Sequence, residues 1–317
     1  TGCISDVDIT GGSGWDASRA AGMVQAVASD ASVHITDCLV KGSITDNADE
    51  DERYMAGFVS YNNGTYTLTR CLYVGKNNAP NNGYSKTFGT ETGYGFTFTD
   101  CYYLNTCGKA QGEQVTAERL KSGEMAKLLQ GDRTENVWGQ TLGTDTIPQL
   151  TAEAAKHVYE VKFTLNGKVK AMRYANRGGH VSLPTVQELL GEAYDARKTY
   201  TLAFGGGFSD ATAIDGNHTV AATVAVSCFN IATKDDWRAF GDLVRSGEGN
   251  LNAKLTADLN LGSDILKIGN ENGGTYSGTF DGQGHTITID WNGYGGGYFA
   301  LFPFVTDATI KNLRVSG

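Results

Sequence analysis

Proline is nearly absent from this 317-residue chain, with 4 residues, and charged residues make up only 19 % against the roughly 25 % of an average domain. A disordered low-complexity chain carries more of both, so the deficit points to an ordered protein. Basic charge is outnumbered, 26 Lys and Arg against 35 Asp and Glu, for a net charge of −9. That balance lacks the basic face that nucleic-acid binding needs. No run of 18 apolar residues exists, so no helical membrane span is expected. The six cysteines contain no C-x-x-C pair, which removes the usual zinc and redox motifs. His34, His157, His180, His218 and His285 have no metal-ligand spacing, and neither His-Glu-x-x-His nor Gly-x-Ser-x-Gly occurs. The chain opens on no signal peptide and closes on no sorting signal, which reads as a piece of a longer protein.

Glycine is in excess: 42 residues, about 13 % against an expected 7 % or so. With abundant Thr, Tyr, Val and Ile, this composition predicts a mainly β protein with many tight turns.

Repeats carry the next inference. Ile35-Thr36-Asp37-Cys38-Leu39, Leu68-Thr69-Arg70-Cys71-Leu72 and Phe98-Thr99-Asp100-Cys101-Tyr102 share one pattern, with cysteines 33 and 30 residues apart. Ile4-Ser5-Asp6-Val7-Asp8 fits the same frame with valine in the cysteine slot, and Ile310-Lys311-Asn312-Leu313-Arg314 fits it with leucine. A second pattern precedes the first: Ala21-Gly22-Met23-Val24, Ala56-Gly57-Phe58-Val59 and, more loosely, Phe299-Ala300-Leu301-Phe302. Two short strands about every 30 residues predict stacked solenoid coils, with the cysteines as small buried hydrophobes in a shared inward slot. Asp6, Asp8, Asp37 and Asp100 then read as a polar ladder on an outer face.

These glycine-apolar pairs and cysteine-ended strands resemble those of GLUG-motif, IgA-peptidase-like modular surface proteins of gut Bacteroidetes, with alanine (Ala21, Ala56) at the first glycine of the motif. The segments Cys101 to Leu104, Val137 to Gln140 and Ile147 to Leu150 are similar to the close of such a block. Asp281-Gly282-Gln283-Gly284-His285-Thr286-Ile287 is similar to its opening strand. The resemblance implies a secreted or outer-surface-anchored adhesin that binds a host glycan or glycoprotein.

The organisation expected is right-handed parallel β-helix coils over 1–105, a helical closing segment over 106–152, a small Ig-like or β-grasp spacer over 153–227, and a start helix with first coils over 228–317. Those last coils either begin a second block or complete the first. Thr116 is expected to cap a helix broken at Gly123, and Thr233 with Asp236 forms a capping box ahead of Trp237, Phe240, Gly241 and Val244. Asn166-Gly167 is a hairpin turn. The open coil edges are expected to stack on each other or on a neighbouring chain.

Exposed aromatics are the candidate binding residues. Tyr61, Tyr66, Tyr84 and Tyr94 fall in Gly/Asn-rich stretches, and Trp291, Tyr294 and Tyr298 surround Gly295-Gly296-Gly297. Flat rings on a rigid scaffold stack on sugar faces. No cofactor is called for. The acidic excursion around Asp46, Asp49 and Asp51 is the one calcium candidate, without the glycine spacing of a calcium loop. The reading is therefore a non-catalytic binding module, with a structural stalk as the alternative and a β-helix polysaccharide lyase or hydrolase as a third possibility.

Overall fold

The computed structural model describes residues 1–10, 19–45, 54–76, 84–91, 95–272, 274–292 and 297–317. The fold is mainly β. The chain divides into two compact units. One comprises Thr1–Lys162, Met172–Ser182 and Asp210–Thr219; the other comprises Phe163–Ala171, Leu183–Ser209 and Val220–Gly317. The helical segment after residue 105 thus belongs with the strands before it, and residues 153–227 are shared between the units.

In the first unit the repeats form rows of parallel strands. Ser32–Thr36, Thr65–Thr69 and Gly95–Thr99 pair in register. Side chains alternate across a strand, so Ile35, Leu68 and Phe98 align on the core side, while Thr36, Thr69 and Thr99 align on the other. A second row runs Ile4–Ser5, Leu39–Val40, Leu72–Tyr73, Tyr102–Tyr103 and Glu113–Gln114. Arg19–Ala21 pairs with Tyr54–Ala56, and Val24–Val27 with Val59–Asn62, also in parallel.

The cysteines occupy one slot, as the repeat spacing predicts, but its first occupant is Cys3 and not Val7. Ile4 pairs with Leu39, so Cys3 stands next to Cys38, and the Leu39 N–H donates to the Cys3 carbonyl at 2.9 Å. Val7 is 52 % exposed. A left-handed residue precedes each cysteine: Gly2, Asp37, Arg70 and Asp100 have φ of 70°, 53°, 50° and 52°. This corner turns the chain from one row into the next. All six cysteines are free thiols.

Inward of the second row, Cys38, Cys71, Cys101, Val40, Tyr73 and Tyr103 join Ile35 and Leu68 in one core. Outward, Leu39, Leu72 and Tyr102 form a separate core with Val115, Leu120, Met125, Leu129 and Trp138. The helical segment therefore packs along the flank of three successive strands as well as following the last of them. Thr116 caps α1 (Ala117–Lys121) by accepting from the Arg119 N–H at 3.2 Å. Gly123, with φ of 94°, separates α1 from α2 (Glu124–Gln130). Trp138–Gly139 then pairs antiparallel with Gln149–Leu150.

Asp37 ties flank and coil together. It is expected on a solvated outer ladder but is buried, because its carboxylate meets Arg70 Nε at 3.1 Å, Arg133 Nη1 at 2.9 Å and Trp138 Nε1 at 3.0 Å. Asp100, in the same slot one coil on from Arg70, is exposed.

In the second unit, Lys198–Phe204 runs antiparallel to His218–Ile231. The end of that long strand starts a parallel row, Phe229 to Ile231, Ala253–Leu255, Thr279–Asp281 and Thr309–Lys311. A second parallel row is Leu259–Gly262, Thr286–Ile289 and Arg314–Ser316. A hairpin turns at Asn166-Gly167, both at positive φ, and α3 (Val186–Leu190) follows Pro184 with a Thr185/Glu188 capping box. The stretch Phe299 to Phe302, expected to be a strand, is irregular; the Ile268 N–H donates to the Leu301 carbonyl at 2.7 Å, and Phe302 packs against Trp237, Tyr276 and Phe280.

α4 (Lys234–Arg245) has the expected Thr233/Asp236 capping box and buries Trp237, Phe240, Gly241 and Val244 against the parallel rows. Thr233→Ala is expected to lower the stability of this unit by about 1 kcal/mol, read as a lower urea midpoint at unchanged slope.

Candidate functional site: aromatic surfaces

The candidate site of the second unit is built on an irregular segment, residues 264–268. Its backbone is pinned from several sides. Trp237 Nε1 on α4 donates to the Leu266 carbonyl at 3.0 Å, and Arg245 Nη1 donates to the Lys267 carbonyl at 3.3 Å. The Ile268 N–H reaches the Leu301 carbonyl. Trp237 is itself wedged edge-on against Phe280 and Phe302, both at 5.7 Å. A loop so held presents side chains in fixed positions.

Two groups of rings attach to the two ends of this segment. At its start, Trp291 Nε1 donates to the Asp264 carbonyl at 3.1 Å, while its ring packs partly against the core. Asp264 is in turn ion-paired with Lys234, whose hydrogen bond holds the carboxyl below its ordinary pKa. At its end, Lys267 Nζ donates to the Tyr298 carbonyl and lies 5.1 Å from the centre of the Phe299 ring. Tyr298 and Phe299 are 59 % and 42 % exposed. Tyr298 also stands edge-on to Phe304 at 4.8 Å. Residues 264 and 267 are at most about 11 Å apart along an extended backbone, so Trp291 and Tyr298 are anchored on one short segment. The arrangement supplies two exposed ring faces, a half-buried indole and an ammonium donor.

The first unit carries a second aromatic group. The Arg19 guanidinium lies 4.0 Å above the Tyr61 ring. Tyr54 meets Tyr61 edge-on at 5.3 Å and Tyr84 at a tilt at 5.1 Å. Strand pairing causes this: Arg19 and Tyr54 are register partners, and Tyr61 follows on the next row.

Tyr66 is not a surface ring. It is 1 % exposed, sits between Val33 and Phe96 in the core-side row, and donates its hydroxyl to the Thr90 carbonyl at 2.9 Å. Burial pushes that phenol well above its ordinary pKa. Tyr84 is exposed, whereas Tyr94 and Tyr294 lie outside the described residues. The calcium candidates Asp46, Asp49 and Asp51 also lie outside them. Among the described residues, no group of three His, Cys, Asp or Glu side chains is placed to hold a metal ion. His285 bonds Asp258 Oδ1 at 3.1 Å beside a turn closed by its own N–H to the Gly282 carbonyl.

Of the rings named from sequence, Trp291, Tyr298, Tyr61 and Tyr84 stand in these two groups, which Lys267, Phe299, Phe304, Arg19 and Tyr54 join only in the fold. Lys267 and Tyr298 are 31 residues apart and meet only through the fold. No family model, curated protein or solved structure matches the chain. No helix is long and apolar enough to cross a membrane, among the described residues.

Proposed function

We propose that the chain is a non-catalytic, extracellular surface module built on right-handed parallel β-helix coils, and that it binds glycan through the Trp291–Tyr298–Phe299 surface. The observation that carries this reading is a pair of exposed rings beside an ammonium on a segment hydrogen-bonded to α4 and to the coil. Such a surface loses little side-chain freedom on binding, which favours stacking on the apolar face of a sugar. Lys267 adds a donor for a hydroxyl or carboxylate of the ligand. The resemblance to GLUG-motif surface proteins points the same way.

A stalk role is the second reading. It is favoured by the in-register parallel rows and by the exposed apolar residues Ile4, Ile310 and Val315 on their outermost strands, edges that suit stacking against a neighbouring chain. A glycan array separates the two. The wild-type chain is expected to bind a defined subset of glycans, and Trp291→Ala and Tyr298→Ala are each expected to lose that signal at unchanged circular dichroism. A folded chain that binds no glycan supports the stalk.

A further inference from the structure

We infer that Cys3 and Cys38 form a peroxide-responsive thiol pair that closes to a disulfide across the first two strands of the cysteine row. Their in-register neighbours Ile4 and Leu39 are paired, and the Cys3 N–H donates to Cys38 Sγ at 3.4 Å. Adjacent strands lie about 4.8 Å apart, inside the 4.4–6.8 Å range of Cα separations that a disulfide spans.

The row holds four cysteines, and access distinguishes this pair. Cys3 is exposed, whereas Cys71 and Cys101 are buried. Cys38 is buried too, yet it lines, together with Cys3, Met23 and Ile35, a cavity of about 540 Å³ open to solvent. Hydrogen bonds from the Cys71 side chain and the Cys3 N–H also lower the pKa of its thiol, despite burial. A thiolate is the form that attacks sulfur.

The oxidant is hydrogen peroxide. The Cys3 thiolate attacks one peroxide oxygen, the O–O bond breaks, and the departing hydroxide takes up a proton as water, leaving Cys3 as a sulfenic acid. The Cys38 thiolate then attacks the Cys3 sulfur, the S–O bond breaks, and a second water leaves as the S–S bond forms. Two electrons and two thiol protons pass to peroxide, giving two waters.

The first strand of the row is held by few groups: hydrogen bonds from Gly2 N–H to the Thr36 carbonyl at 3.0 Å and from Leu39 and Lys41 to the Cys3 and Ser5 carbonyls, and the Lys41–Asp6 ion pair at 2.9 Å. A covalent link there fixes an edge that otherwise opens locally.

Tryptic mapping without reductant tests this on the intact chain. Cleavage after Arg19 and Lys41 puts Cys3 in peptide 1–19 and Cys38 in peptide 20–41, while Cys71 falls in peptide 71–76. After dilute peroxide, the expected product is 1–19 joined to 20–41, lighter than the summed peptides by two hydrogens and abolished in Cys3→Ser and Cys38→Ser. Peroxide in urea is expected to scatter the pairing. The inference is overturned if the folded chain gives Cys3 as sulfinic acid with Cys38 free, a Cys3–Cys3 dimer, or Cys38 joined to Cys71.

Discussion

Asp37→Asn lowers the stability of the first unit by about 3 kcal/mol, the lower end of what removing one partner of a buried ion pair costs. The lower end applies because the Arg70 and Arg133 side chains keep 29 % and 27 % of their surface in water, against 5 % for Asp37. Asparagine tolerates the left-handed backbone at this corner, so the effect isolates charge from strain. An amide offers one carbonyl oxygen where the carboxylate serves two guanidinium groups and an indole, and the remaining donors stay desolvated. The same residue sets a pH dependence. Burial opposes ionisation of Asp37, but the hydrogen bonds from Arg70, Arg133 and Trp138 outweigh it, and the pKa is lowered. A group depressed on folding binds protons more readily in the unfolded chain. Its contribution is therefore full above the ordinary carboxylate pKa near 4 and is lost as pH falls through that value and then through the folded one. Denaturant midpoints at pH 7 should separate wild type from Asp37→Asn, and the gap should narrow below about pH 4. A constant gap would place the effect elsewhere than in the charge.

Gly57→Ala is the second substitution with a large expected effect. A methyl group there would lie 2.4 Å from the Thr87 carbonyl oxygen and 2.7 Å from Tyr73 Cδ2. Both neighbours are fixed: the Gly57 N–H donates to that same carbonyl at 3.0 Å, and Tyr73 is fully buried. Gly22 repeats the arrangement one coil earlier, with a methyl group 2.4 Å from the Gly57 carbonyl oxygen. The glycine of the Ala-Gly-apolar pattern is thus a close-approach position between successive repeats. The expected loss is about 3 kcal/mol, as for overpacking that displaces backbone. Gly216→Ala is the control: its Cβ would meet nothing within 4 Å, and the change should stay within about 0.5 kcal/mol. Thermal melts of the two variants make the comparison.

These residues show which features sequence could disclose. The 33- and 30-residue spacing of Cys38, Cys71 and Cys101 reads directly as register, because the strands that follow them pair in parallel and in register. Polarity alone puts Val7 in the cysteine slot instead of Cys3, because Ile4-Ser5-Asp6-Val7 mimics the polarity of Ile35-Thr36-Asp37-Cys38. The deciding signal was the left-handed corner before each cysteine, which Gly2, Asp37, Arg70 and Asp100 fill with unlike side chains. Tyr66 looked exposed beside Asn62-Asn63-Gly64, yet its alternation with Leu68 in a five-residue strand marks the core face. The helix caps at Thr116 and Thr233 were legible because capping is local. The role of Asp37 was not, since Arg133 and Trp138 lie about a hundred residues further on. Lys267 was hidden for the same reason: only folding brings it to Tyr298 and Phe299.

The most direct test of the central claim is calorimetric titration of the best-bound array glycan into wild type and into Tyr298→Ala and Trp291→Ala. Measurable wild-type binding is expected, weakened about tenfold or more in each variant, the equivalent of about 1.4 kcal/mol for a lost stacking ring, with an unchanged melting curve for Tyr298→Ala. Equal affinity in wild type and both folded variants would contradict it.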